Sequence, residues 1–370
     1  MMSARLKTRK LESDSSPKEW LPEPYMKEAV KFVISRPHAG LFLRPGMRKT
    51  SITLAAIKVL LAKKLVSKVL ILAPRRVCRM VWPAEVAKWK DFNDLRLKVV
   101  HGKNKERALF EDADIYVTTF ETLPWLMGTE VKTSEKTRKK SVKLDMRGFK
   151  ALGFDMLVVD ELSKFKNTNS VRFKQLKEVL HTFKRRVGLT GSPAANGLIN
   201  LFGQMYVLDM GKALGTFVTH YRSSYFDGGG FRGRTSSGFG VDTTWTLRKG
   251  SDKKIYKAIS KTVMHIDDTS LLKLPAMMEN DIPITLPDDA RAIYDEMEAQ
   301  FFWAIDEKIV DAANVGVQMN KLRQMAGGAV YYKQYDAEGL RLPGKDWLYL
   351  HDEKMEAMVD LVEELNGEPI

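Results

Sequence analysis

The sequence predicts an α/β fold: a parallel sheet flanked by helices, followed by a mostly helical or irregular extension. Three observations carry that prediction. Short β-rich apolar runs recur between residues 39 and 190, with helical patterns between several of them. That alternation produces a parallel sheet covered on both faces. Each polar signature in this stretch follows directly after such a run, where parallel sheets bind their ligands. Beyond about residue 210 the apolar runs give way to Gly/Arg-rich sequence and then to helical periods.

The expected strands are AGLFL (39–43), VLILA (69–73), LKVV (97–100), IYVTT (115–119), MLVVD (156–160) and RVGLT (186–190). Between the first two, Ile52, Ala55, Ala56, Val59 and Leu60 fall on one helical face. After the second, Val81, Val86 and Trp89 stand among charges in a further helical stretch, with Trp82 and Trp89 read as packing residues. Residues 129–150 break the pattern. They carry eight Lys/Arg and almost no core formers, so they read as a long loop or insertion, either a solvated surface or a nucleic-acid contact. FDGGGFRGRTSSGFG (226–240) is expected not to hold regular structure for long. Helical periods return with Ala290, Ile293, Tyr294, Met297, Phe301 and Ile305, and again with Met355, Met358, Val359, Val362 and Leu365. The expected organisation is a basic tail at 1–20, a nucleotide-binding lobe at 21–210 with its insertion at about 129–150, a Gly/Arg-rich and helical region at 211–345, and a final helix at 346–370.

The 370 residues hold 60 Lys+Arg against 46 Asp+Glu, a formal net charge of +14. That balance favours a polyanionic partner, and nucleic acid is the commonest one. A single cysteine, Cys78, excludes an internal disulfide and any Cys-rich zinc site, and fits a reducing, cytoplasmic compartment. The longest apolar runs, such as VLILA, fall far short of the roughly 20 residues needed to span a bilayer. The charged N-terminus has no apolar core and is no secretory signal. No membrane partner is expected.

Four signatures carry chemistry. In RPGMRKT (44–50) a strand runs into a turn, Lys49-Thr50 and a helix. In a phosphate-binding loop, backbone N–H groups and the helix N-terminus face the anion, lysine reaches the outer phosphates and the hydroxyl holds Mg²⁺. Gly46 lies in the loop, but Leu43 and Arg48 stand where the full signature has glycines. A non-glycine residue at the second position costs on the order of 1 kcal/mol or more if the backbone there is left-handed. By itself the stretch is either such a loop or a turn with a chance Lys-Thr. Asp160-Glu161 ends another strand, as a Mg²⁺–nucleotide site requires; an acidic pair at a helix start is the plainer reading. Thr190-Gly191-Ser192-Pro193 ends a third strand as a tight hydroxyl-bearing turn, able to sense a phosphate and relay to a nucleic-acid face, or an ordinary turn. Arg75 and Arg76 follow the second strand, where they can meet a backbone phosphate.

The order of these signatures is more specific than any one of them. Lys-Thr follows one strand, Pro74 the next, VTTFETL (117–123) a fourth, Asp-Glu a fifth and Thr-Gly-Ser-Pro a sixth. In this order the chain resembles the first RecA-like lobe of superfamily-two helicases, specifically the Swi/Snf-type DNA translocases and above all their compact phage and bacterial members. DELSKFKN (160–167) is similar to the family's D-E-x-x-x-x-K-N. LTGSPAANGLINLFGQMYVLD (189–209) is similar to L-T-G-[TS]-P-x-x-N with its trailing leucine/aromatic pattern. Pro74, Trp82, Glu85 and Trp89 match a spaced P…W…E…W. LRQMAGGAVY (322–331) looks like the segment before the second lobe, and DEKMEAMVDLVEELNGEPI (352–370) like the helix leading into it. The resemblance covers roughly residues 20–370.

What it implies is an ATP-driven motor on DNA, duplex more than single strand, with ATP and Mg²⁺ in a cleft between two lobes. Lys49 would hold the β/γ-phosphates, Thr50 and Asp160 the metal, and Glu161 the attacking water. Tyr25, Gly46 and Arg48 join Lys49 and Thr50 in the nucleotide-binding set. Arg75, Arg76 and Thr119 would contact DNA, and Thr190 and Ser192 would couple the two sites. The sequence departs from the pattern at Arg48, at Met26, where members carry a glutamine that reads adenine, and at Leu162-Ser163. On the same resemblance the second lobe would begin near Ile370, so it is expected on a separate chain or removed by truncation. The alternative is a DNA-binding or partner-docking module without turnover. An RNA-directed helicase is disfavoured by DELSKFKN and LTGSP. A phage-encoded member would work in the bacterial host's cytoplasm.

Overall fold

The computed structural model describes residues 16–128, 130–133, 140–143, 145–191, 193–194, 197–235, 238–266, 281–306, 312–332 and 346–364. Compact packing divides the chain into residues 1–273 and 274–370.

The first unit is built on seven strands, all parallel: β1 (His38–Leu43), β2 (Val69–Ala73), β3 (Leu97–Val100), β4 (Ile115–Thr119), two more at Met156–Asp160 and Arg185–Thr190, and a last at Val263–Ile266. Two short hairpin strands, β5 (Glu130–Thr133) and β6 (Lys140–Lys143), precede Met156–Asp160, which is therefore β7; Arg185–Thr190 is β8. A second hairpin, β9 (Phe226–Thr235) and β10 (Gly238–Leu247), precedes β11 (Val263–Ile266). The sheet order is β11-β1-β8-β7-β2-β4-β3.

Alternation along each central strand sorts its side chains between two layers, as the two-residue period demands. Leu41 and Leu43 of β1, Val69 and Ile71 of β2 and Val158 of β7 enter a core shared with helix α1 (Pro24–Ser35) and helix α2 (Lys49–Ala62). Phe42, Leu70, Leu72, Leu157 and Val159 enter the opposite core, with Phe165, Leu176 and Met205. Both faces are covered, so β2 and β4 are buried along their whole length. α2 is likewise buried at every residue from Ser51 to Ile57, because it lies between the sheet and α1.

The six strands expected from the sequence are all present. The seventh, β11, was not expected. VMHI is short and only its first residue is buried, so it carries no apolar run. It pairs β1 from Gly40↔Val263 to Leu43↔Ile266, and thereby extends the sheet past residue 210. Two stretches expected to be irregular are hairpins. β9 and β10 pair over ten residues each, from Phe226↔Leu247 to Thr235↔Gly238, and β5 pairs β6 from Glu130↔Lys143 to Thr133↔Lys140. An antiparallel ladder is satisfied by main-chain groups, so glycine- or lysine-rich sequence forms it without an apolar pattern.

In the second unit, helices span Asp288–Asp306, Ala312–Met325 and Glu353–Glu364, near the expected periods. β12 (Ala329–Tyr332) and β13 (Asp346–Tyr349) form a hairpin. Met355, Met358, Val359 and Val362 stand exposed on the last helix. No helix among the described residues is long and apolar enough to cross a membrane.

Candidate nucleotide site and nucleic-acid face

The C-terminal ends of β1, β8 and β7 are neighbours, and each carries one of the polar signatures. The turn after β1 is closed by Met47 N–H donating to the Arg44 carbonyl at 3.3 Å. Gly46 has φ 84°, and Arg48 is left-handed at φ 49°, ψ 38°. Arg48 is thus held in the backbone shape glycine takes at little cost, and its carbonyl accepts the first helical bond of α2 from Ile52 N at 3.1 Å. Gly191, just beyond β8, backs this turn: a Cβ there would come within 2.9 Å of Pro45 Cδ. Relief of the left-handed strain makes Arg48→Gly expected to raise stability by about 0.5–1 kcal/mol, read by urea unfolding. A loss of stability would show that the arginine side chain makes a contact outweighing the strain.

Lys49 opens α2. Its Nζ donates to the Leu43 carbonyl at 2.7 Å and the Arg44 carbonyl at 3.0 Å. Burial lowers the affinity of this ammonium for its proton, while Asp160 and Glu161 oppose that shift. Thr50 follows on the first turn of the helix. Across from it, Asp160 ends β7. Burial pushes its carboxyl up to about 6, against the indole N–H of Trp82 and the charge of Lys49, which favour the ionised form. The Trp82 bond is 2.9 Å, from Nε1 to Asp160 Oδ2. Glu161 is left-handed at φ 69°, ψ 64°. Its carboxylate accepts from Ser163 Oγ, and from Thr190 Oγ1 at 3.4 Å, which joins the ends of β7 and β8. Ser192 lies outside the described residues.

Tyr25, on the first turn of α1, is buried. Burial and Glu23 push its phenol up, and Arg48 opposes them. Met26 beside it is wholly buried in the core, so it cannot replace a glutamine's hydrogen bonds to a base.

The set fits a Mg²⁺–nucleotide. The start of a helix has unbonded N–H groups, and with Lys49 and Arg48 it offers positive charge to phosphate. Among the described residues no group of three or more His, Cys, Asp or Glu could hold a metal. A cation here would therefore rest on Asp160, Thr50 and the ligand's own oxygens, the manner in which Mg²⁺ is usually held.

The other half of the sheet edge has a different character. Arg75 and Arg76 are exposed on the first helical turn after β2. The ends of β2, β4 and β3 open into a cleft of about 410 Å³, whose walls include Arg75, His101, Thr119, Glu121, Lys164 and Arg172. Arg172 pairs with Glu121 at 3.6 Å. The Thr119 hydroxyl is buried against Thr122 Oγ1 at 3.0 Å, so it supplies the cleft wall. Among the described residues the buried Nδ1 of His101 has no hydrogen-bond partner; burial and the nearby Arg75 and Arg79 hold its imidazole below the usual range. The structure therefore brings Arg75 and Thr119 together and leaves Arg76 on the same turn. His101, Lys164 and Arg172 were not singled out in the sequence. His101 follows directly after β3 and could have been found by the strand-end rule; Lys164 and Arg172 have no such signal.

A family model described as the SNF2-related domain matches residues 25–327. The chain is 26% identical over 362 residues to a putative protein, p41, of Acyrthosiphon pisum secondary endosymbiont phage 1, spanning 95% of this chain and 72% of that one. It is 26% identical over 207 residues to the CHD3-type chromatin-remodeling factor PICKLE of Arabidopsis thaliana, spanning 52% of this chain and 14% of the plant protein. Among solved structures, the SWI2/SNF2 ATPase core of Sulfolobus solfataricus in complex with dsDNA shares the fold at a TM-score of 0.50 and 19% identity. That match covers 95% of this chain and 66% of the archaeal one.

Proposed function

Because this chain belongs to the SNF2-related family, a helicase-like family with a RecA-like fold, we propose that it is the first lobe of an ATP-driven motor that tracks or remodels duplex DNA. The observation that carries the reading is one juxtaposition. Lys49, Asp160-Glu161 and Thr190 meet at the ends of three adjacent strands, and the basic cleft lies at the ends of the next three.

In this reading Lys49 and the N-terminus of α2 bind the outer phosphates of ATP, and Asp160 with Thr50 holds Mg²⁺. The metal, when bound, neutralises charge on the transferring phosphoryl group. Glu161 orients the attacking water, and its bond to Thr190 ties that orientation to the end of β8. Tyr25 borders the nucleotide. Arg75 and Arg76 neutralise backbone phosphates, and Ser192 shares the coupling role of Thr190. A second RecA-like lobe, on a separate chain or beyond this segment, supplies the remaining contacts to the nucleotide. The setting is the cytoplasm of a bacterial host.

The test is ATP turnover by this chain with and without duplex DNA, beside Lys49→Ala. DNA-stimulated turnover that disappears in Lys49→Ala supports the motor. A second reading, a DNA-binding module without turnover, is favoured by the strained Arg48 and by the loss of an adenine-reading group at Met26. It is supported if turnover is absent from the wild type while DNA binding persists. In both readings the DNA contact is electrostatic. Replacing both Arg75 and Arg76 by Ala is expected to weaken binding about equally on unrelated sequences and to reduce the slope of log K against log[salt] by about 2. Fluorescence anisotropy at a series of salt concentrations measures that slope, and an unchanged value removes the turn after β2 from the DNA interface.

A further inference from the structure

We propose that Trp82 is a positioning residue: its indole N–H fixes the carboxylate of Asp160 for the metal and ties that carboxylate to the Arg75–Arg76 turn. The proposal rests on the nucleotide reading of the site.

An indole N–H can only donate, and a buried tryptophan usually finds it a partner. Trp82 is wholly buried, and its partner is the Asp160 carboxylate, 78 residues away in sequence. Trp89 behaves differently. Its N–H is satisfied locally, by Oε2 of Glu85 four residues back at 2.8 Å. A phenylalanine at position 82 would fill much the same apolar space; what it could not do is donate to Asp160. A carboxylate turns broadly about its terminal torsion. Holding Oδ2 at 2.9 Å sets the plane of the group and directs the remaining Oδ1.

The segment that delivers Trp82 is unusual. Residues Val77–Val81 form a π-helical turn, and Trp82 begins the helix α3 (Trp82–Lys88) directly after it. A π turn accommodates one extra residue, so the helix beyond it is rotated by about 100° relative to an uninterrupted α-helix. Arg76 immediately precedes this turn. A single turn of backbone therefore separates the exposed arginines after β2 from the indole that holds Asp160. A phosphate drawn onto Arg75 or Arg76 acts on the same short rigid piece, and a metal at Asp160 acts on it from the other end. Such coupling is reciprocal.

The experiment measures binding of a fluorescent ATP analogue to the full chain, first in EDTA and then across a Mg²⁺ titration, with and without duplex DNA. Trp82→Phe is expected to bind the analogue in EDTA within about twofold of wild type and to need about 10–100-fold more Mg²⁺ for half-saturation, the usual cost of losing a group that orients a metal ligand. Any shift that DNA causes in the wild type's Mg²⁺ requirement should vanish in the variant. A merely structural tryptophan would lower the melting temperature and leave the Mg²⁺ titration unchanged, and that result overturns the proposal. Lys49→Ala separates the two levels. A wild type sensitive to Mg²⁺ and to Lys49→Ala, beside a wild-type-like Trp82→Phe, removes Trp82 alone; a wild type indifferent to both removes the nucleotide reading and this proposal with it. If Trp82→Phe does not fold, the Trp82 indole ¹⁵N–¹H resonance of the wild type serves. It must move when Mg²⁺ is added to nucleotide-bound protein, and a stationary resonance overturns the proposal.

Discussion

Lys49→Ala is expected to weaken ATP binding by about 10²–10⁴-fold and to abolish turnover. The ammonium sits at the start of α2, facing the carboxylates of Asp160 and Glu161, and donates to two main-chain carbonyls, that of Leu43 at the end of β1 and that of Arg44 just beyond it. Phosphate oxygens would replace those carbonyls as charged acceptors. Hydrogen bonds to charged groups contribute about 1.5–3 kcal/mol each, so losing two costs roughly 3–6 kcal/mol, which corresponds to about 10²–10⁴-fold in affinity. The alanine variant keeps only the partial charge of the helix end and whatever Arg48 adds. Lys49→Arg is expected to fail nearly as badly, because a planar guanidinium cannot replace a compact ammonium in a tight turn. Stability should change by less than about 1 kcal/mol, since removing a partly buried charge offsets the two lost bonds. Calorimetric titration with ATP measures the loss. Binding within threefold of wild type would show that the turn after β1 is not where nucleotide sits.

Gly203→Ala is expected to destabilise the first unit by about 2 kcal/mol. Gly203 lies in the helix Leu201–Asp209, and a Cβ there would be driven into the carbonyl oxygen of Phe165, with Lys166 O and Thr168 Cγ2 each only 3.3 Å away. Backbone approaches backbone at this point, so no side chain can swing aside. Helix propensity alone would favour alanine by about 1 kcal/mol, and overpacking a filled interior costs about 1–3 kcal/mol or more. The sign of the measured change decides which governs. The same helix carries Gln204, whose amide donates to the Pro193 carbonyl at 2.6 Å. It therefore braces both the segment after Asp160-Glu161 and the turn after Thr190. Thermal unfolding should show a fall in Tm of about 4–8 °C at about 2–4 °C per kcal/mol for a unit of this size. An unchanged or raised Tm would mean that the two backbones are not in contact.

How much of this was legible in the sequence depends on what each element is made of. β1, β2, β4, β7 and β8 are almost entirely buried and spell themselves out as apolar runs; their ends named Lys49, Thr119, Asp160, Glu161 and Thr190 as candidates. β11 lies at the sheet's edge with one buried residue, so no pattern marks it. The two hairpins are held by main-chain ladders, which leave no signature in Gly- or Lys-rich sequence. Within the site, the strain expected at Arg48 was readable because a backbone shape was tied to one position of the loop. The left-handed Glu161 and the bond from Trp82 to Asp160 were not. The first depends on how β7 turns into the short helix Leu162–Phe165, and the second on a π turn that precedes Trp82 and brings its indole to the end of the neighbouring strand.

The place of β1 in the sheet also sets the order in which the chain can be finished as it is made. β2, β3 and β4 come from residues 69–119 and can pair soon after they leave the ribosome. β1 is synthesised before any of them but waits for Arg185–Thr190 on one side and Val263–Ile266 on the other. At roughly 5–20 residues per second, the 223 residues from Gly40 to Val263 take on the order of 10–45 s. Throughout that interval AGLFL has an unpaired apolar edge, the kind of surface that recruits chaperones or other nascent chains. The half of the sheet that carries the cleft lined by Arg75 and Arg172 is thus complete in the newborn chain well before the half that carries Lys49.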